Sequence, residues 1–195
     1  MTHILENHQT YREQGKIDIS AQTIGEFLYR SVRIKKQSKG NDYERAYHPY
    51  PSCGALNEIE IYPFVYSCDG ISPGAYRYDA LAHELEHLSL MNSKVELILK
   101  KAQSTLKMNT IPQIVIVLAA KFQRMMWKYE SNAYALILKN SGIISHTMYL
   151  VATAMNLAPC GIGGGSSDDF CDAIGTDYWE ETSVGEFVLG SKSIS

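Results

Sequence analysis

An α+β domain is what this sequence predicts, and three patterns predict it. Residues 58–78 read as a strand, a turn and a short return strand. Residues 113–119 form a continuous apolar run, and residues 20–33 and 132–157 carry apolar side chains at helical spacing. The 195 residues are 45% hydrophobic and 20% charged, which suits one globular domain spanning 1–195 and excludes a disordered tail or a disulfide-stapled miniprotein.

In SAQTIGEFLYRSVR, Ile24, Phe27, Leu28 and Val32 share a helical face behind Ser20, a fitting N-cap. The polar stretch from Lys35 to Tyr50, with Gly40-Asn41-Asp42, lacks periodicity and is expected to be an exposed loop. Glu58 to Tyr66 alternates like a strand, Cys68-Asp69-Gly70 and Pro73-Gly74 mark turns, and Ala75 to Tyr78 returns as the second strand of a hairpin. Residues 81–107 are read as mostly helical. Gln113 to Ala119 has the unbroken apolar character of a central strand covered on both faces. From Asn132 to Leu157 the helical pattern is interrupted at Ser141-Gly142, which predicts a helical hairpin or a broken helix. Gly161 to Gly165 is a glycine loop expected to follow that helix; residues 167–174 suit a short helix, and Glu186 to Gly190 a last strand.

Composition narrows the function classes. A net charge of −3 supplies no overall attraction to nucleic acid or anionic lipid. No apolar run reaches the roughly 18 residues of a membrane span, and the first residues lack a signal-like apolar core, so the expectation is a cytoplasmic protein with neither nucleic acid nor membrane as partner. Cys53, Cys68, Cys160 and Cys171 stand far apart and are read as reduced thiols. Tyr outnumbers Phe 13 to 5, a hint of half-buried rings at a cofactor pocket or a subunit interface.

Three short patterns are candidates for chemistry. His83-Glu84-Leu85-Glu86-His87 fits H-E-x-x-H, in which two histidines one helical turn apart bind zinc and the glutamate acts as base. No third ligand follows at a usual spacing, so a solvated helix start is the competing account, and no metal site is expected. The loop Gly161 to Gly165 could aim backbone amides at a phosphate or a flavin ring, although a plain connecting loop explains it equally well. Lys128-Tyr129 sets a basic group beside a phenol, where either could move a proton if its surroundings shifted its pKa.

In order along the chain, Tyr50-Pro-Ser-Cys-Gly-Ala55, the strand EIEIYPFVY, Pro73 to Asp79, Lys128-Tyr129, Gly142 to Leu150 and the Gly161 to Gly164 loop resemble the nitroreductase superfamily. More narrowly they resemble its SagB-type azoline dehydrogenases, the FMN enzymes of thiazole- and oxazole-containing peptide biosynthesis. The resemblance runs from about residue 8 to 192 and implies a nitroreductase-like fold, with a central, mostly antiparallel sheet flanked by helices, in a homodimer that holds FMN at its interface. It also implies site roles. Arg12, with Thr10 in place of the family Ser and His8 in place of an Arg, would meet the FMN phosphate and ribityl chain, joined by Lys192. Pro51, Ser52, Cys53 and Gly54 would run along the flavin ring, and Ile162, Gly163 and Gly164 would turn a backbone N–H toward flavin N5. Lys128 and Tyr129 would be catalytic, one of them as base, with Lys128 made neutral by desolvation. The implied activity oxidises azoline rings in a peptide to azoles, with a cyclodehydratase or synthetase as partner. The competing functions are an NAD(P)H-dependent nitroreductase-like enzyme, a non-catalytic flavin-binding or scaffolding protein, and a zinc peptidase built on His83 and His87.

Overall fold

The computed structural model describes residues 2–40 and 43–193. A six-stranded antiparallel sheet runs in the order β5-β4-β3-β6-β8-β7, formed by β3 (Ile59–Val65), β4 (Gly74–Asp79), β5 (Glu84–Leu90), β6 (Ile114–Lys121), β7 (Leu157–Ile162) and β8 (Glu181–Ser191). A separate hairpin pairs β1 (Lys36–Lys39) with β2 (Glu44–Tyr47). The helices are α1 (Thr2–Asn7), α2 (Ala21–Val32), α3 (Ser93–Leu106), α4 (Gln123–Tyr129), α5 (Ala133–Ala154) and α6 (Ser167–Ile174).

The central position of β6 explains its unbroken apolar sequence. Side chains alternate across a strand, so Ile114, Ile116 and Leu118 join α2 and α5 on one face, through Phe27, Leu28, Ile144 and Met148. Val115, Val117 and Ala119 join α3 and α6 on the other, through Val95, Leu99 and Phe170. The result is a sheet sandwiched between two helical layers. As expected, Ser20 caps α2, its hydroxyl accepting from the Thr23 amide.

Several expectations are corrected. The polar stretch after α2 is not a loop throughout: Lys36–Lys39 pairs antiparallel with Glu44–Tyr47, because backbone pairing needs no apolar face. Asn41 and Asp42 of the expected Gly40-Asn41-Asp42 turn lie outside the described residues. Residues 84–90 form an edge strand and not the first part of a helix. Cross-strand pairing with β4, including Tyr76 with His87, outweighs their local helix propensity. His83 sits in a left-handed turn (φ 59°) and His87 in β5, so they do not stand one helical turn apart. At about 3.3 Å per strand residue they are too widely separated to share one metal ion in the H-E-x-x-H manner. Helix α5 is continuous; Gly142 lies on its exposed side, where an added Cβ would meet nothing within 4 Å. The glycine loop follows strand β7 and not a helix, and the last strand begins at Glu181, five residues before the expected Glu186.

Candidate active site

Helix α5 organises the candidate residues. In its first half, Asn140 reaches the Pro51–Gly54 stretch: the Cys53 amide donates to Asn140 Oδ1 at 3.2 Å. Nine residues later, Tyr149 Oη accepts from the Gly161 amide at 2.7 Å and shares a 2.9 Å hydrogen bond with Thr10 Oγ1. A rise of 1.5 Å per residue puts these two anchor points about 14 Å apart along the helix axis. Three segments far apart in sequence, near residues 10, 53 and 161, are thus tied to one rigid element.

The N-terminal segment lies along the end of the sheet. The Tyr11 amide donates to Pro159 O and the Gly15 amide to Ser191 O, both at 2.9 Å. Buried Gln113 fastens the same segment. Its Nε2 donates to Gly15 O and to Ser191 Oγ, each at 3.1 Å, while its Oε1 accepts from the Ser191 and Ile19 amides. Lys192 stands 4.7 Å from the centre of the Tyr11 ring. The Gln9 hydrogen bond and then the Lys192 ammonium lower the Tyr11 phenol below its ordinary pKa. Arg12 is exposed, and its charge partly offsets the rise that burial imposes on the neighbouring Cys160 thiol. This corner therefore offers two cations, Arg12 and Lys192. His8 lies against α5, its ring edge-on to His146 at 5.7 Å and to Tyr149 at 6.5 Å, beside an open cleft of about 470 Å³ bounded by Thr10, Gly142 and Tyr149.

At the other end of α5 the backbone is strained. Gly54 (φ 71°), Ala55 (φ 54°) and Asn57 (φ 52°) all lie in the left-handed region, which is costly for the two residues with a Cβ. Lys128 and Tyr129, in the last turn of α4, close on this turn: a Cβ added at Gly54 would lie 2.7 Å from Tyr129 Oη and 3.4 Å from Lys128 Nζ. Lys128 also donates to Tyr43 Oη and sits 4.2 Å from that ring's centre. This Tyr43 bond raises the pKa of Lys128, and the same bond lowers that of the Tyr43 phenol. The expectation of a neutral, desolvated Lys128 is corrected: this ammonium is stabilised in its charged form.

In the glycine loop, Ile162 is buried in the core beneath α3 and α6 and so presents only its backbone. Gly163 and Gly164 are exposed, and an added Cβ at either would meet nothing within 4 Å. Gly165 differs, since its Cβ would run into the carboxyl of Glu186, a buried group on β8. Burial pushes the Glu186 carboxyl up to about 7.

Tyr43, Glu58, Asn140 and Glu186 were not singled out from the sequence. Asn140 and Ser141 share the helical phase of Ile137 and Ile144, so polar residues at buried positions were the readable sign. Tyr43 carries no such sign, because it reaches Lys128 only through the fold.

An antiparallel sheet between two helical layers defines this chain as an α+β sandwich domain, with Arg12 and Lys192 near one anchor point of α5 and the Lys128-Tyr129 pair near the other. The sequence matches the nitroreductase family over residues 18–191, and the chain belongs to that family. A Methanocaldococcus jannaschii protein named as a nitroreductase is 27% identical over 160 residues, covering 82% of this chain and 76% of the relative. Among solved structures, a nitroreductase-type protein of Anabaena variabilis superposes with a TM-score of 0.74 at 26% identity; the match covers 86% of this chain and only 34% of that longer one. The E. coli microcin synthetase McbBCD complex with truncated pro-MccB17 bound gives a TM-score of 0.74 at 22% identity, covering 97% of this chain and 73% of the other. An Exiguobacterium sibiricum nitroreductase-type protein in complex with FMN gives 0.64 at 13% identity, covering 100% and 88%. The last two likenesses show the fold. A nitroreductase-family chain is a flavin oxidoreductase by class. Among the described residues no helix is long and apolar enough to cross a membrane.

Proposed function

We propose that this chain is an FMN-dependent azoline dehydrogenase, which oxidises thiazoline or oxazoline rings in a peptide to thiazole or oxazole. The observation that carries this reading is the closure of Lys128 and Tyr129 on the Gly54 turn, near one anchor point of α5, with Arg12 and Lys192 near the other. Two features of the chain fit FMN. The cations suit a phosphate, and Gly163 and Gly164 leave their backbone uncovered where a flat ring would need close approach. Arg12, Thr10 and Lys192 would hold the phosphate and ribityl chain, with His8 at their margin; Pro51, Ser52, Cys53 and Gly54 would line the ring, and Ile162, Gly163 and Gly164 would offer amides.

When bound, FMN supplies the acceptor for the hydride that leaves the azoline ring carbon, and dioxygen then takes up the electron pair. The chain itself must remove the proton from the adjacent α-carbon. With Lys128 charged, Tyr129 is the group we assign to accept that proton: it acts in its phenolate form beside the Lys128 ammonium and becomes the neutral phenol. We further propose a homodimer in which a second copy covers the exposed Tyr134 and Leu138 of α5. The likeness to a synthetase complex supports a peptide substrate delivered by a cyclodehydratase or synthetase partner.

The test is anaerobic single-turnover bleaching of the flavin by a synthetic azoline peptide. Lys128→Ala and Tyr129→Phe should slow bleaching by about 10²–10⁴-fold, the usual worth of a positioned base, with flavin content unchanged. Gly163→Val should abolish flavin uptake while leaving the fold intact, because Gly163 is exposed and a Cβ there meets no protein atom within 4 Å. Parental bleaching rates in both pair variants would refute the assigned roles. Rapid reduction by NAD(P)H with no reaction of the azoline would replace this reading with a nicotinamide-dependent nitroreductase.

A further inference from the structure

We infer that the buried pair Glu58 and Asn140 is a positioning device that sets the backbone of the Pro51–Gly54 stretch for the flavin, and through Gly54 the reactive Tyr129. The inference rests on the proposed run of FMN along that stretch.

Asn140 is fully buried and Glu58 is 2% exposed. Asn140 Nδ2 donates to Glu58 Oε1 at 2.5 Å, and its Oδ1 accepts from the Cys53 amide at 3.2 Å. The order of these bonds matters. An asparagine amide can bind either way round, and an accepting Glu58 oxygen on one side with the donor-only Cys53 amide on the other fixes its orientation. Glu58 therefore turns Oδ1 toward Cys53. Glu58 is fixed in turn by its own backbone, whose carbonyl accepts from the Lys121 amide at 2.8 Å at the mouth of the sheet. The relay thus runs from the β3/β6 frame through α5 to the first residue of a turn that enters the left-handed region at Gly54 and Ala55.

Such a turn persists only where its surroundings over-determine it. The Cys53 bond is a side-chain restraint from α5 at its entry, and the next residue, Gly54, packs against Tyr129. A carboxylate is a costly way to fill a core position, since burying charge without a partnering cation opposes folding. Burial does push the Glu58 carboxyl above its ordinary range, with the Asn140 hydrogen bond opposing the rise. Its presence beside a fully buried amide fits a demand for orientation and not for stability. Glu58 and Asn140 act through Cys53, so they are positioning residues and not catalytic ones.

The test is a swap. Asn140→Asp sets two acids face to face, while Glu58→Gln combined with Asn140→Asp restores the bonds in reverse: the amide introduced on β3's entry donates to the carboxylate introduced on α5, and that carboxylate still accepts from the Cys53 amide. Two readouts are taken, the FMN Kd by fluorescence titration and hydrogen exchange of the Cys53 amide in protein without flavin. Asn140→Ala and Asn140→Asp should each weaken FMN more than tenfold and expose the Cys53 amide to exchange. The double swap should return Kd to within about threefold of wild type and restore protection. If the wild type binds FMN and the single variants bind it equally well, the pair has no positioning role. If the swap restores thermal stability but neither Kd nor exchange protection, the pair is only structural. If Asn140→Ala fails to fold, the swap and Asn140→Asp decide alone. A wild type that takes up no FMN refutes the cofactor reading itself, and with it the role given to the pair.

Discussion

Gly54→Ala separates the strain in the turn from the chemistry beside it. An L-residue with a side chain in the left-handed region costs about 1–2 kcal/mol, and Gly54 has φ 71°. The new Cβ would lie 2.7 Å from Tyr129 Oη, where ordinary contact begins at 3.4 Å, so the phenol must retreat by about 0.7 Å. Leu56 Cγ at 3.3 Å and Lys128 Nζ at 3.4 Å limit the other ways out. The stability loss should be about 1–2 kcal/mol, which for a domain of this size lowers Tm by roughly 2–8 °C. A displacement of that order at a reacting group costs up to about 10²-fold in rate. Anaerobic single-turnover bleaching of the flavin-loaded variant, beside urea denaturation, measures both. Lowered stability with an unchanged bleaching rate would show that Tyr129 Oη is not at the reacting centre. Loss of flavin together with rate would show that the turn serves the cofactor first.

Two further outcomes follow from buried and edge residues. Because Glu186 is pushed from 4.5 up to about 7 in the folded protein, the folded state keeps its proton where the unfolded chain has lost it; the Glu186 contribution to stability is fullest below pH 4.5 and falls as pH rises to 7, by about 3 kcal/mol. Glu186→Gln should flatten that decline in denaturation curves taken between pH 4.5 and 7, and superimposable profiles would refute the assignment. His83→Ala and His87→Ala should leave azoline oxidation within about twofold of the parent. His83 shares a 2.8 Å hydrogen bond with Tyr78 Oη and packs edge-on against Tyr29, and His87 lies edge-on to Tyr76; a large loss of activity in variants that also lose bound zinc would overturn this.

What the sequence determined by itself was every element written in a local period. The alternation of Glu58 to Tyr66, the apolar run before Leu118 and the Ser20 cap each state their structure within a few residues, and β3, β6 and α2 appear where they were expected. The order of the family motifs was legible too, since chain order needs no contacts. Tertiary structure decided the rest. Residues 84–90 lean toward helix locally, and pairing with the backbone of β4 turned them into a strand. Gly142 does not break α5, because it faces outward on a helix that the sheet supports along its buried side. The site depended most on the fold. Tyr43 meets Lys128 across 85 residues, and Asn140 meets Cys53 across 87. A residue's neighbours along the chain do not encode such meetings; they arise where packing brings polar groups from distant segments within hydrogen-bonding reach of one another.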